Sequence, residues 1–356
     1  MSVLVPVLNE ERHIREAVAA MRRQRFDGAI EFLYADGRSS DRTKEILEEL
    51  AREDPRIRVF DNPLRHTAAG LNICLRHARG EFVARMDAHS LYPDDYLARG
   101  VARLREGGTQ WVSGPQVPDP QGRVSAAAAR ALGTWLGQGG SRKWASGSGD
   151  GEGGEFELDT GVFTGVWKRQ VVLDSGGWDE GWPRNQDAEM AARFLAAGER
   201  LVCVPAMGAR YIPRNTLKGL YRQYHGYGYF RVRTALRHPH SLRRSSLLPP
   251  AVVCAAAAAV AAPRPLRGVA RAGVGAYVAA LVAAGASCLS DAPPEEAALV
   301  PAALAAMHLG NGVGVLQGMR AFGVPWAALA NVAGLSGLAE RLPVASQDVN
   351  APSLAA

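Results

Sequence analysis

Between residues 3 and 85 the chain alternates short apolar runs with stretches of helical period, and this narrows its fold more than any other feature. Residues 3–8 read as a strand and 13–23 as a helix. A second strand covers 30–35. The segment Asp36-Gly37-Arg38-Ser39-Ser40-Asp41 leaves it, and Ser40 or Asp41 can cap a helix over 42–52. In that helix Ile46, Leu47 and Leu50 share one face. Residues 57–60 form a third strand, 68–78 a helix, and 81–85 a fourth strand after the Gly80 turn. Such alternation predicts an α/β fold with a mostly parallel, Rossmann-like sheet. In such sheets ligands sit beyond the carboxyl ends of the strands, where Asn9, Asp36 and Asp87 all fall.

The fourth strand runs out into Met86-Asp87-Ala88-His89, and Ser90-Leu91-Tyr92-Pro93 then breaks it. An Asp and a His two apart at a strand end can turn toward one point. A carboxylate oxygen and an imidazole nitrogen there suit Mn²⁺ or Mg²⁺ carrying a diphosphate. A strand-end turn with a solvated Asp is the plainer alternative. Further on, the glycine turn Ser175-Gly176-Gly177-Trp178-Asp179 precedes Arg184-Asn185-Gln186-Asp187-Ala188-Glu189. Met190, Phe194 and Leu195 read as the buried stripe of a helix, so Asp187 falls near a helix N-terminus, where it can cap the helix or act as an acid–base group.

Four motifs in order carry a resemblance. Pro6-Val7-Leu8-Asn9-Glu10-Glu11, Asp36-Gly37-Arg38-Ser39-Ser40-Asp41, Arg85-Met86-Asp87-Ala88-His89 and Asn185-Gln186-Asp187-Ala188-Glu189-Met190 resemble those of family 2 inverting glycosyltransferases, which have a GT-A fold. The particular resemblance is to the succinoglycan-type glucosyltransferases of bacterial polysaccharide synthesis, and it covers roughly residues 2–245. It implies transfer of one hexose per encounter from a UDP-sugar to a lipid-linked saccharide or polysaccharide. It also implies Asp87 and His89 as ligands of Mn²⁺ or Mg²⁺, and Asp187 as general base with Glu189 as the fallback. For the donor it points to Pro6, Asn9 and Glu10 after the first strand, to Asp36 for the base, and to Asn72 near the metal triplet. Arg65, His66 and Arg85 can offset diphosphate charge. The processive Gln-x-x-Arg-Trp motif is absent: the run Arg222-Gln223-Tyr224-His225-Gly226-Tyr227-Gly228-Tyr229 lacks the Arg-Trp pair. Its tyrosines either stack on sugars or sit in a membrane interface.

Two rivals belong to other classes. A sugar nucleotidyltransferase needs a glycine-rich, lysine-containing first loop, and Pro6-Val7-Leu8-Asn9 holds no glycine. A non-catalytic membrane partner that kept the fold would have no need of Asp36, Asp87, His89 and Asp187.

The chain changes character near Leu247. Residues 247–262, 272–289 and 297–316 are rich in Ala, Val, Leu and Gly, and the last two approach the length of a bilayer span. A soluble alanine-rich helical domain is the alternative. Arg231, Arg233, Arg237, Arg243 and Arg244 precede this region and favour a cytoplasmic, anionic lipid face. The net charge of +6 is accordingly read as membrane-directed, with no nucleic-acid motif. The four cysteines are scattered, which suits a reducing cytoplasm rather than a zinc site or disulfide framework. Residues 1–246 are thus expected to be the catalytic domain, 247–320 a transmembrane region of the inner membrane and 321–356 a tail. The glycine- and serine-rich stretch 137–154, with Lys143-Trp144, is expected to be a mobile loop by the acceptor cleft, with a plain linker as the alternative.

Overall fold

The computed structural model describes residues 1–139, 141, 143 and 154–344. It divides into two compact units, Met1–Pro118 with Ser141–Tyr211, and Asp119–Gly140 with Ile212–Ala356.

In the first unit the expected alternation is realised as β1 (Ser2–Val7), α1 (Ile14–Arg22), β2 (Glu31–Asp36), α2 (Thr43–Glu53), β3 (Ile57–Asp61), α3 (Thr67–His77) and β4 (Phe82–Arg85). Then come β5 (Ser90–Leu91), α4 (Tyr96–Glu106), β6 (Trp111–Ser113) and β7 (Gln116–Pro118). The chain leaves for α5 (Arg123–Gly133) and α6 (Trp135–Gln138) of the second unit. It returns as β8 (Phe156–Leu158), β9 (Gly165–Lys168), α7 (Arg169–Asp174), α8 (Gln186–Ala196), β10 (Leu201–Cys203) and β11 (Ala209–Tyr211).

The main sheet has the order β3-β2-β1-β4-β9-β6-β10-β8. β1 is parallel to β2 and β4, with Leu4 opposite both Leu33 and Arg85. A central parallel strand is covered on both faces, which is why β1 reads as an unbroken apolar run. Val3, Leu4 and Val5 are fully buried, each stabilising the fold by roughly 1.5–3 kcal/mol. Val7, Asp36 and Asp61 stand side by side in the register, so the loops after β1, β2 and β3 leave together at one edge. β9 enters antiparallel between β4 and β6, and β8 closes the far edge antiparallel to β10. One core layer is fixed by Trp111, Trp167, Trp178 and Phe194, with successive ring centroids 5.0–5.8 Å apart.

The second unit is helical: after α5 and α6 it contains α9 (Leu217–Arg237), α10 (Leu248–Ala261), α11 (Arg264–Ala286), α12 (Pro294–Ala297), α13 (Val300–Phe322), α14 (Trp326–Val332) and α15 (Ser336–Ala339). By length and composition alone, three segments are candidate membrane spans: Arg244–Ala261, Arg264–Ala286 and Pro294–Phe322. Each begins three to eight residues before the expected stretch, because a charged turn opens the apolar helix. The expected boundary at residue 246 also shifts. Residues 119–140 and 212–246 pack with the C-terminal helices, since α5 buries Ala127, Ala128 and Ala131 and pairs Arg123 with Glu295 at 3.1 Å. The stretch 137–154 falls largely outside the described residues, as does Trp144; Gly137 itself lies in α6.

Candidate active site

β4 ends at Arg85, and the next backbone N–H, of Met86, still donates to Leu4 O at 3.2 Å. The chain then turns: Ser90 N–H donates to Asp87 O, and Asp87 N–H donates to the Tyr92 hydroxyl oxygen at 2.8 Å. Burial, reinforced by Asp87, pushes the Tyr92 phenol well above its usual range, so it stays neutral and can accept that bond. Asp87 is thereby fixed as a buried carboxylate at the strand end.

Arg85 organises the site. Its Nε and Nη2 donate to the two oxygens of Asp87 at 2.8 and 3.0 Å, a bidentate pair, while Nη1 donates to Asp187 Oδ1. Burial alone would lower the guanidinium pKa, but Asp187 and Asp87 together outweigh it and raise it, so Arg85 is a fixed cation. Asp187 is the second residue of α8, whose N-cap is Asn185 in the left-handed region at φ 64°. Asp187 is therefore not the cap; its negative charge favours the first helical turn. A side chain on Gly161 would strike the Asp187 carbonyl oxygen, so only glycine lets that loop press against the helix start. Burial raises the Asp187 carboxyl to about 6, and the Asp87 charge adds to this, against the lowering influence of Arg85 and Lys143. A fifth of the side chain stays open to solvent, so it can meet a ligand.

The loops after β1 and β2 lace into each other. Asn9, at φ 57°, accepts from Ser40 N–H at 2.8 Å, and its own N–H donates to Ser39 Oγ. Glu10 N–H donates to Thr43 Oγ1 at 2.7 Å. Asp36 is buried and accepts from both Ser39 N–H and Ser39 Oγ–H. Asp41 accepts from Thr43 N–H and Glu11 N–H in a turn just ahead of α2, whose N-cap is Arg42 rather than the expected Ser40 or Asp41. Glu10 also reaches the β4 loop, its Oε1 lying 3.0 Å from His89 Nδ1. Pro6 is a β1 residue opposite Ala35. A hollow of about 750 Å³ beside these loops is lined by Asn9, Glu11, Arg12, His13 and Asp41, none of which belongs to the Asp87–Asp187 network.

Four expectations need correction. Glu189 is no alternative base: its carboxylate is fully buried and paired with Arg193 at 2.9 and 3.0 Å, one helical turn on. Asn72 spends its amide on the glycine turn, accepting from Trp178 N–H and donating to Trp178 O and Glu180 Oε1 at 2.7–2.9 Å, so it pins a loop rather than facing a donor. Arg85, expected to offset diphosphate charge, faces two carboxylates instead. Likewise His66 caps α3, its Nδ1 accepting from Ala69 N–H.

Sequence reasoning missed Asn185 as a separate polar group: its Nδ2 is buried with no hydrogen-bond partner among the described residues. Such a donor costs about 1–3 kcal/mol unless a ligand or water meets it. Its position beside the acid is the only sequence signal. As for a cation, no three His, Cys, Asp or Glu side chains gather into a cage among the described residues. Asp87 keeps a second lone pair on each oxygen, and His89 is half-exposed two residues away. That donor set fits Mg²⁺ or Mn²⁺, which bind through one or two protein groups and bring water and phosphate oxygens with them.

Residues 2–150 match the glycosyl transferase family 2 profile. The succinoglycan biosynthesis protein ExoA of Rhizobium meliloti (strain 1021) is 32% identical over 253 residues, 70% of this chain and 74% of that protein. The chain belongs to glycosyltransferase family 2. A dolichyl N-acetyl-alpha-D-glucosaminyl phosphate 3-beta-D-2,3-diacetamido-2,3-dideoxy-beta-D-glucuronosyltransferase of Methanococcus voltae is 23% identical, over 64% of this chain and 71% of its own. Among solved structures, the mannosyltransferase PcManGT from Pyrobaculum calidifontis, in complex with GDP-Man and Mn²⁺, aligns with a TM-score of 0.50 at 20% identity, covering 89% of this chain and 86% of that one. The fold is thus GT-A, and the protein is a glycosyltransferase rather than a nucleotidyltransferase or a non-catalytic partner.

Proposed function

We propose that this glycosyltransferase moves a single hexose from a UDP-sugar to a lipid-linked saccharide or polysaccharide, with inversion and with Mn²⁺ or Mg²⁺, at the cytoplasmic face of the inner membrane. The observation that carries the reading is Arg85, which ties a strand-end acid and a helix-start acid into one buried charge network. Those acids have the two tasks that direct displacement requires.

Asp187 takes the proton from the acceptor hydroxyl as that oxygen bonds to the anomeric carbon. The bond from the anomeric carbon to the diphosphate oxygen breaks, and its electron pair leaves with the nucleoside diphosphate. A carboxyl raised to about 6 is basic enough to assist and still ionised at neutral pH. Arg85 holds Asp187 in place and keeps it anionic. Asp87 and His89 would hold the divalent cation, which when bound neutralises charge on the leaving diphosphate. Asn9, Glu10 and Asp36, on the interlaced loops, are assigned to the ribose and base, with Pro6 shaping the strand end. Asn185 Nδ2 is a ready donor to a substrate oxygen beside the base.

The lipid-linked acceptor is supported by the dolichyl phosphate-linked saccharide in the name of the Methanococcus relative, and the cation by the Mn²⁺ of the Pyrobaculum mannosyltransferase. The membrane is supported by the three apolar helices. The test is transfer from α-linked UDP-hexoses to membrane-extracted lipid-linked saccharides, with and without Mn²⁺, reading the anomer by NMR. A β-linked product that requires the metal and UDP-sugar is expected. An α-linked product overturns the inverting mechanism, and full activity in a chelator overturns the metal.

A further inference from the structure

α13 belongs to the candidate span that its own unit buries most. It runs parallel to α9 in very close contact: a Cβ on Gly310, Gly314 or Gly318 would strike the carbonyl oxygens of Tyr221, His225 and Tyr229 in turn. His225 Nε2 also lies 2.7 Å from Gln317 Oε1. α9 carries Lys218, Arg222, Arg231, Arg233 and Arg237. Sinking α13 across a bilayer would draw this cationic helix in with it, which is costly. A helix apolar all round is equally at home as the centre of a bundle, and half of the Pro294–Phe322 segment is buried by its neighbours.

The α10–α11 hairpin is different. Only 11% and 17% of its two apolar segments are buried. Its base is fastened to α13, with Gly312 against Pro249, Gly285 against Pro301, and the Tyr277 hydroxyl 3.0 Å from His308 Nδ1. Beyond that its legs are bare, with Val260, Leu266 and Val269 at 76%, 62% and 73% exposure. The tip is basic. Arg267 Nε donates to Ala262 O and Arg271 Nε to Ala259 O, so two guanidinium groups cap the end of α10, and Arg264 is exposed beside them. Each whole segment, with its charged turn, has the length of a span, but the uncharged helical part of each does not. α10 has 14 residues, roughly 21 Å at 1.5 Å each. In α11 the uncharged part, 272–286, reaches roughly 22 Å. The hydrocarbon core needs about 30 Å.

We propose that the α10–α11 hairpin is a monotopic anchor. It lies in the interfacial layer of one leaflet, with Arg264, Arg267 and Arg271 on the anionic phospholipid headgroups of the side it entered from, and does not cross the bilayer. This rests on the membrane association in the proposed function and specifies its form. Cys254→Ser and Cys288→Ser remove the accessible native thiols, since Cys74 and Cys203 are buried. Into this full-length background go Ala102→Cys on the exposed face of α4 and, separately, Arg264→Cys. A membrane-impermeant maleimide is applied to inverted and to right-side-out inner-membrane vesicles. Both positions are expected to label in inverted vesicles and neither in right-side-out ones. Arg264→Cys labelled only from the side opposite to Ala102→Cys, or from neither side, overturns the anchor. Protein absent from both membrane fractions overturns the membrane association itself. On purified full-length protein, changing the three arginines to Gln should weaken binding to phosphatidylglycerol-containing vesicles by roughly fivefold per residue, with no such loss on changing them to Lys. Equal loss in both variants overturns the headgroup contact.

Discussion

Arg85→Met is the sharpest perturbation available. It removes one cation from between two carboxylates while keeping the length of the side chain. Arg85, Asp87 and Asp187 expose only 5%, 11% and 20% of their side chains, so water replaces the lost charge poorly. Breaking a buried pair by deleting one partner costs about 3–5 kcal/mol. The lower end applies because Asp187 sits at the solvent edge. For a unit of this size that is a fall in melting temperature of roughly 6–12 °C. The pH dependence has a definite sign. Asp187 is raised in the folded protein to about 6 from an unfolded value of 3.8. Its contribution to stability is therefore fully present below about pH 4 and is lost as the pH rises through about 6. Without Arg85 the folded value rises further, so the variant's deficit should be largest near pH 7.5 and shrink toward about pH 5. UDP with Mn²⁺ should restore part of the loss, because a cation at Asp87 supplies the missing charge. Thermal melts of the detergent-solubilised full chain at both pH values read all of this. A melting temperature within about 2 °C of wild type at pH 7.5, or a deficit that widens on acidification, refutes the charge-bridge reasoning.

Asp187→Asn keeps the size and the bond to Arg85 but not the basicity, so turnover should fall roughly 10²-fold or more with UDP–Mn²⁺ affinity near normal; single-turnover rates beside nucleotide titrations check it, and full activity removes Asp187 as base. In the wild type, kcat/KM should rise with pH through about 6 as Asp187 loses its proton, and a bound cation that cancels the Asp87 charge moves this limb lower, not higher; a limb well above pH 7 contradicts the assignment. Glu189→Gln should lower the melting temperature by weakening the Arg193 pair, while activity per folded molecule stays within a few-fold; a folded but inactive variant would return Glu189 to the chemistry. Asp87→Ala should abolish metal-dependent UDP binding by calorimetry, and His89→Ala should weaken it with some activity left in Mg²⁺.

The elements around β1 to β4 were legible because each obeys a single period. Buried parallel strands read as apolar runs, and helices such as α2 show Ile46, Leu47 and Leu50 at helical spacing. The strand-end position of Asp87 followed from that register. What the sequence hid was pairing. Glu189 and Asp187 are two residues apart on one helix and look interchangeable, yet Arg193 lies one turn beyond Glu189 and takes it into the core. Asn72 and Trp178 are 106 residues apart, so nothing local announces that the amide will clamp that turn. Apolar composition was ambiguous for the same reason. The bare legs of α10 and α11 and the buried centre of α13 have nearly the same alphabet, and only the glycine-to-carbonyl contacts with α9 separate a packed core helix from a lipid-facing one.

Arg85 shows most clearly why the site needed three dimensions. Its motif neighbours suggest a phosphate ligand, because a basic residue beside a metal acid is where a diphosphate arrives. In the fold Arg85 ends β4 between β1 and β9, and its guanidinium is spent on the two acids. A positive charge there favours the ionised form of Asp187, which burial and the neighbouring Asp87 charge both oppose. The same charge makes the network responsive. On the proposed function, a cation arriving with the donor would compete with Arg85 for Asp87, and a guanidinium released from one carboxylate would be drawn more fully to the other. Donor binding on one side of the sugar would then strengthen the hold on the base at the other and link proton removal to the presence of the leaving group.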